Sequence, residues 1–363
     1  MVDDETLLFA SNRRDSGHRQ LYTVTLDGDV SPVVESLGTN VYPRPSPDDN
    51  RVVYVHADRE RSPELRVASL TDDGSSTRLT ESVVDEWPVD PLEPEHVTFD
   101  GDDGREIHAY LLDPLDADDA LDTLPAVVWV HGGPIRQMRD GWHPYRSYGL
   151  AYAFHQYLAR QGHVGLFVNY RGGIGYGWEF RASLADGYGR DEMGDVAAGA
   201  AYLKDLSYVD PDAVGIWGLS YGGYATLQLL GTRSGTFAVG VNIAGLADIR
   251  RYEEWGWETK FPQPESLAPL RLGGSPRDRS ARWDDASPRT HMDAYEAPVY
   301  NFHGTADSYV NVEQQDIVVD RLLDLDKEFE AEYYPAEGHV FSKRAWRRTL
   351  ERIERAFDRH LST

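Results

Sequence analysis

Cysteine is absent from the 363-residue chain, which excludes disulfides, thiol nucleophiles and zinc–thiolate centres and leaves the redox compartment unmarked. Lysine is nearly absent as well: it stands only at Lys204, Lys260, Lys327 and Lys343, so arginine carries almost all the positive charge. No apolar run approaches the roughly 18 residues of a membrane span, and the acidic opening Met1-Val2-Asp3-Asp4-Glu5 lacks the basic start of a secretory signal. The expectation is a cytoplasmic protein with no membrane partner. Positive charge is also in deficit, since 61 acidic residues face 36 basic ones for a net charge of −25. Such a surface repels phosphate backbones, which excludes nucleic acid as a partner.

The same surface repels itself unless counter-ions screen it. With the scarcity of lysine, this balance resembles the halophilic proteins of salt-loving archaea. What remains is 40% hydrophobic residues in a chain long enough for one large domain and a smaller one.

Residues 6 to 80 contain a weak internal repeat. Leu7 to Arg13 corresponds to Val52 to Asp58, and Leu21 to Gly28 to Leu65 to Asp72, at a spacing of about 45 residues. Alternating residues and turn clusters such as Ser46-Pro47-Asp48-Asp49-Asn50 read as strands, and the period fits a four-stranded propeller blade. About two blades occupy residues 1–84, where ring closure takes roughly four to eight. The outer strands therefore need further upstream blades, the catalytic domain or a second copy of the chain to pack against, which leaves a homo-oligomer as one alternative.

Residues 85–95 carry Pro88, Pro91 and Pro94 and read as an extended linker. The domain expected over 96–363 opens with a hairpin, His96-Val97-Thr98-Phe99 and Ile107 to Leu112 around Asp100-Gly101-Asp102-Asp103-Gly104. Strands then alternate with helices. Apolar runs at Ala126–Val130, Val164–Val168, Val214–Trp217, Val239–Ile243 and Pro298–Phe302 suit buried parallel strands. Helix-spaced apolar residues cover Val196–Leu206, Glu313–Leu325 and Lys343–His360, with Trp346, Leu350, Ile353 and Phe357 facing a core. The pattern predicts an α/β fold with a doubly wound, mostly parallel sheet of the α/β-hydrolase kind, preceded by a partial β-propeller.

The chemistry centres on Val214-Gly215-Ile216-Trp217-Gly218-Leu219-Ser220-Tyr221-Gly222-Gly223, an apolar strand that runs into a glycine-flanked serine and then a helix. A serine hydroxyl becomes a useful nucleophile on such a sharp turn, where a base reaches it and backbone N–H groups flank it. The base and its orienting carboxylate should follow in the order acid, then histidine. Asp307, just past the strand that ends at His303-Gly304, and His339, in Pro335-Ala336-Glu337-Gly338-His339, stand in that order. His303 precedes the acid and reads instead as a hydrogen-bonded histidine at a strand end. For an oxyanion, His131-Gly132-Gly133-Pro134 directly after an early central strand offers backbone donors, and the N–H of Tyr221 offers the other. No metal or cofactor is expected.

With these residues in place the chain resembles the prolyl oligopeptidase family, nearest its acylaminoacyl-peptidase branch, over nearly all of residues 96–363. The landmarks are His131 to Pro134, Asn169-Tyr170-Arg171-Gly172-Gly173-Ile174-Gly175-Tyr176-Gly177, Gly218 to Gly223, His303-Gly304-Thr305-Ala306-Asp307 and Glu337-Gly338-His339. Pro45-Ser46-Pro47-Asp48-Asp49 resembles the repeat of propellers fused to such enzymes. The resemblance implies cleavage of short peptides or acyl-peptides through an acyl-enzyme, with Ser220 as nucleophile, His339 as base, Asp307 as its orienter and Gly133 and Tyr221 as oxyanion donors. Ser308-Tyr309-Val310-Asn311 replaces the arginine and proline that many members of that branch carry after the aspartate, so a substrate clamp is not carried over there. Tyr252, Trp255, Trp257 and Phe261 are candidates for lining an acyl or side-chain pocket. A carboxylesterase with the same triad, and a non-catalytic binding protein on a hydrolase fold, are the alternatives.

Overall fold

The computed structural model describes residues 2, 5–47, 50–71, 75–82, 90–114, 123–184, 187–259 and 271–362, with the side chains of 257–259 outside the description. They fall into two compact units: residues 1–95 together with 138–157, and residues 96–137 together with 158–363.

The first unit is built from antiparallel sheets. Strands β1 (Thr6–Ser11), β2 (Gln20–Thr25) and β3 (Val30–Val34) form one, and β4 (Thr39–Pro45), β5 (Arg51–Ala57), β6 (Glu64–Ser69) and β7 (Ser76–Arg78) the other. The repeat seen in the sequence is thus a repeat of strands: β1, β2 and β3 correspond to β5, β6 and β7. Alternation explains the pairing, because in β5 the side chains of Val52 and Tyr54 are buried while those of Arg51 and Val53 are exposed. They close on Leu21, Val33, Val34 and Ala68 in one small core. The sheets are stitched through Arg19, whose N–H donates to the Gly38 carbonyl and whose carbonyl accepts from Asn40 N–H, each at 2.9 Å. This is a partial propeller segment.

Residues 138–157 lie between two strands of the second unit yet group with these sheets. Arg139 donates to Thr39 Oγ1 at 2.9 Å, Trp142 N–H to the Asp58 carbonyl at 3.0 Å and Tyr152 Oη–H to the Arg59 carbonyl at 3.1 Å. Linear reading of the chain gives no sign of this grouping, since the segment carries no strand pattern of its own.

The second unit holds an eight-stranded sheet in the order β15-β14-β13-β12-β10-β11-β9-β8. Its strands are β8 (Glu95–Asp100), β9 (Glu106–Leu112), β10 (Leu124–Val130), β11 (Val164–Asn169), β12 (Val209–Leu219), β13 (Val239–Ile243), β14 (Val299–Gly304) and β15 (Phe329–Tyr334). From β11 through β15 all pairings are parallel, whereas β9 runs antiparallel to β11. Every residue of β11, β13 and β14 is buried, as expected of strands covered on both faces.

The helices used below are α1 (Arg146–Arg160), α2 (Trp178–Ala182), α3 (Asp191–Lys204), α4 (Tyr221–Thr232), α5 (Ile249–Thr259), α6 (Ser280–Asp285), α7 (Glu313–Asp324) and α8 (Lys343–Leu361). In α8, Ser342 caps the N-terminus by accepting from Ala345 N–H at 3.3 Å. Trp346, Ile353 and Phe357 on one face are buried, each contributing about 1.5–3 kcal/mol relative to exposure. Leu350 beside them is half-buried. Because β10 and β12 to β15 are parallel, their carboxyl ends open along one edge of the sheet, where ligand sites of open α/β sheets form.

Candidate active site

At the end of β12 the chain makes a turn that only its neighbours permit. Ser220 has φ 62° and ψ −118°, a conformation that L-residues rarely hold, and its N–H is tied to the Ile243 carbonyl at 2.8 Å. A Cβ on Gly218 would collide with the backbone of Gly222, and one on Gly222 would strike the Val130 carbonyl. The glycines therefore let α4 back directly onto the end of β10. Ser220 stands at the N-cap of α4 without using its side chain as a cap, so its hydroxyl is left half-buried at the mouth of the turn.

Two strands further along the same edge, Asp307 follows β14. Its carboxylate is fully occupied: Tyr309 N–H and Val310 N–H donate to Oδ1 at 2.8 and 2.9 Å, and His339 Nδ1–H donates to Oδ2 at 2.7 Å. Burial alone would raise this carboxyl, but the neighbouring imidazoles of His303 and His339 and the bond from Val310 N–H outweigh it and hold it far below the usual carboxylate range. The bond also fixes the tautomer of His339, because a carboxylate only accepts. The loop that carries His339 is pinned to the one that carries Asp307. Thr305 N–H donates to the Tyr334 carbonyl at 3.0 Å, and Ala306 N–H to the Glu337 carbonyl at 2.9 Å.

His303, on β14 itself, is fully buried. Its Nε2–H donates to the Val310 carbonyl at 2.9 Å and lies 3.5 Å from Asp307 Oδ2. The shorter contact takes the proton, so His303 braces the aspartate's loop from behind. Ser220, Asp307 and His339 thus share one unit and one sheet edge. Among the described residues no hydrogen bond yet joins Ser220 to His339, a looseness common before substrate arrives.

The two expected oxyanion segments also meet. Val130 pairs with Gly218 in the sheet, so the loop from His131 leaves beside the elbow. Gly133 has φ 127°, a backbone state open to glycine, and Tyr221, as first residue of α4, has an N–H outside the helical ladder. An aromatic stack links them. The His131 ring lies 4.3 Å from that of Tyr170, which lies 6.0 Å from Tyr221, and Tyr170 Oη–H donates to the His131 carbonyl at 2.7 Å. Burial lowers His131 to about 4, so the ring is neutral. The Tyr170 loop is in turn held by Arg171, whose guanidinium donates to Asp195 at 2.6 and 2.8 Å and to Asp103 at 2.8 Å.

Of the four pocket candidates, Tyr252 and Trp255 sit half-buried on α5 with ring centroids 6.2 Å apart. Asp248 starts that helix by accepting from the N–H groups of Arg250 and Arg251 at 2.9 and 3.1 Å. Tyr252 is raised to about 12, first by burial and then by the negative charges of Glu253 and Asp307, which brings it near the aspartate's field. The Trp257 side chain and Phe261 lie outside the described residues. Two residues near the site escaped the sequence reading. Tyr309, two past Asp307, sets its ring 5.4 Å from that of His339. Glu192, on α3, accepts from Tyr221 Oη–H at 2.5 Å, and nothing in the acidic run Asp191-Glu192 marks it out.

The mostly parallel sheet, the strand-to-helix elbow and the groups at its carboxyl edge define an α/β-hydrolase fold. Within that class the prolyl oligopeptidase family matches residues 151–362, more than half of the chain, and the chain belongs to that family. It is 26% identical to the uncharacterized peptidase YuxL of Bacillus subtilis (strain 168), over 96% of this chain and 51% of that protein. It is 30% identical to dipeptidyl aminopeptidase BIII of Pseudoxanthomonas mexicana, over 72% of this chain and 36% of the relative. The chain therefore spans about half the length of the first relative and about a third of the second. The crystal structure of Pyrococcus horikoshii acylaminoacyl peptidase superposes with a TM-score of 0.81 at 21% identity, covering 98% of this chain and 54% of that one.

Proposed function

We propose that the domain spanning residues 96–363 is a serine peptidase that cleaves short peptides or acyl-peptides through an acyl-enzyme. Ser220 Oγ attacks the scissile carbonyl carbon as His339 Nε2 takes its proton, and Asp307 stabilises the imidazolium through Nδ1–H. The carbonyl oxygen becomes an oxyanion facing the N–H groups of Gly133 and Tyr221. His339 returns the proton to the leaving amine, the C–N bond breaks, and water then releases the acyl group by the same steps. The observation that carries this reading is the 2.7 Å His339–Asp307 bond on the sheet edge that also presents the strained Ser220 turn. Family membership and the named activities of the relatives, dipeptidyl and acylaminoacyl peptidases, support the substrate class. Tyr252 and Trp255 are the side chains offered for the acyl pocket.

The test is direct. Ser220→Ala should fold normally and lose about 10³-fold or more in kcat, and a serine-directed phosphonate should label the parent and not the variant. Near-normal turnover in the variant would remove Ser220 as nucleophile. A panel of dipeptidyl anilides, acyl-aminoacyl anilides and short-chain esters would rank peptidase against esterase, the ester alone being cleaved if the second class is right.

We also place the protein in a salt-rich cytoplasm, supported by the charge balance alone. The screening length falls from about 10 Å at 0.1 M salt to about 3 Å at 1 M, which silences most carboxylate repulsion. Thermal midpoint and turnover should both climb between low and molar chloride. Undiminished stability and activity after dialysis to about 50 mM chloride would defeat this placement while leaving the triad untouched.

A further inference from the structure

Glu192 is the buried carboxyl that the chemistry above does not use. It is fully enclosed at the start of α3, and both its hydrogen bonds fall on one oxygen: Tyr221 Oη–H and Gly189 N–H each donate to Oε1 at 2.5 Å. Oε2 is buried with no partner among the described residues. A carboxyl this deep ordinarily has a cation against it or donors on both oxygens, since burying an under-paired acid costs several kcal/mol. Here the neighbouring guanidinium, Arg190, pairs with Asp191 at 2.8 Å instead. The walls are phenols instead. The Tyr188 ring lies 5.5 Å from Tyr221 and 5.9 Å from Tyr224, and Tyr224 turns its own hydroxyl away to the Ala286 carbonyl at 2.8 Å.

What makes this arrangement functional is the residue it grips. Tyr221 follows the elbow serine, and its N–H is an oxyanion donor in the proposed reaction, so whatever fixes the Tyr221 side chain fixes the peptide plane that must face the developing charge. Four contacts do so: the Tyr170 ring at 6.0 Å, the Tyr188 ring at 5.5 Å, the Tyr224 ring at 5.2 Å and the carboxyl of Glu192. Only the last is directional. We propose that Glu192 is a positioning residue for the oxyanion hole, its carboxylate clamping the Tyr221 hydroxyl so that the Tyr221 N–H is held on the oxyanion. This inference rests on the peptidase reading and deepens it.

A charge-bearing acceptor binds a phenol more strongly than a neutral one, so the clamp is firmest when Glu192 is ionised. Burial first, and Asp195 as a minor contribution, push its carboxyl up to about 7, while the bonds from Tyr221 and Gly189 pull down. The groups facing it are Tyr188 and Arg190 just ahead of α3, Tyr221 and Tyr224 on α4, Asp195 on its own helix, and Arg171 through Asp195; Arg271 lies over the Tyr188 ring at 5.6 Å. Protonation below neutrality weakens the clamp, and kcat falls with it.

The experiment uses the full chain and an anilide substrate that the panel above identifies, with kcat and KM measured from about pH 5 to about pH 9 across the carboxyl's titration range. Tyr221→Phe and Glu192→Ala should each lower kcat about tenfold or more with KM within about twofold, as weakening of an oxyanion bond made only in the transition state predicts. Glu192→Gln, which keeps a neutral acceptor and cannot titrate, should show at every pH the lowered kcat of the protonated parent and lose one of two ionisations on the acid limb. The double variant Glu192→Ala with Tyr221→Phe should cost no more than either single one. A raised KM with unchanged kcat, additive losses, or an acid limb identical in Glu192→Gln would overturn the proposal. If Glu192→Ala fails to fold, Glu192→Gln and Tyr221→Phe carry the test unaided. Activity surviving in Ser220→Ala would sink the peptidase reading itself, whereas a dead Ser220→Ala beside unaltered Glu192 variants would sink this inference alone.

Discussion

Asp307 and Glu192 are both buried carboxyls one contact away from a group that the proposed reaction uses, and they have been driven in opposite directions. Asp307 has donors on both oxygens, two backbone N–H groups on Oδ1 and His339 on Oδ2, with His303 behind. It is held ionised far below the usual range. Glu192 has two donors crowded on one oxygen and none on the other, and it rises to about 7. Depth does not separate them, since Asp307 is 7% exposed and Glu192 not at all. The difference is in how many donors arrive and on which oxygen, and in whether one of them belongs to a group that becomes cationic during turnover. A permanent counter-charge for an imidazolium needs the first arrangement. A clamp on a phenol works with the second.

The comparison breaks first, and most visibly, at Asp307. Asp307→Asn keeps the shape but lets the amide donate to His339, favouring the wrong tautomer, so kcat should fall by about 10³- to 10⁴-fold, and the thermal midpoint at neutral pH should drop as the stability tied to the depressed carboxylate is lost. A loss as small as the one expected at Glu192 would mean that the two carboxyls do similar work. The next effect is smaller. His303→Ala removes a brace whose short bond goes to the Val310 carbonyl rather than to the aspartate, so activity should fall less than about tenfold while the thermal midpoint drops, as for other buried truncations. If His303→Ala were as damaging as His339→Ala, the assignment of the base would have to be exchanged.

Much of this was legible in the sequence because the chemistry constrains it locally. Glycines two residues before and two after Ser220 appear in any chain that must turn so sharply, and an acid after one apolar strand followed by a histidine after the next is an order set by the sheet. The strand alternation of residues 6 to 80 likewise announces its sheets. What stayed hidden depends on distant pairings. The grouping of residues 138–157 with the first unit rests on a backbone bond to Asp58, a hydroxyl bond to Arg59 and a guanidinium bond to Thr39, which no periodicity encodes. Glu192 reads as one more acid on a helix beside Asp191 and Asp195. Only the fold brings it under Tyr221, 29 positions away.

The smallest effect is the one that sets the two carboxyls against each other as stability. An acid whose folded value is raised binds more protons folded than unfolded, so the native state loses stability as pH climbs from the unfolded value of about 4.3 to the folded value near 7. Above that the penalty is constant. Asp307 has the opposite sign: its depressed value contributes stability above about pH 4 that is lost only as pH falls through the folded value, well on the acid side. Between pH 5 and 8, then, by the reference carboxyl values, Asp307 contributes a constant and Glu192 a slope. Glu192→Gln should remove that slope. Its thermal midpoint relative to the parent should rise by a few degrees on going from about pH 5 to about pH 8, at roughly 2–4 °C per kcal/mol for a unit of this size. The gain would come with the loss of pH response in kcat, a stability cost retained at a working site. Parallel midpoints for parent and variant across that window would show that Glu192 is already neutral or already compensated, and the contrast between the two carboxyls would then rest on Asp307 alone.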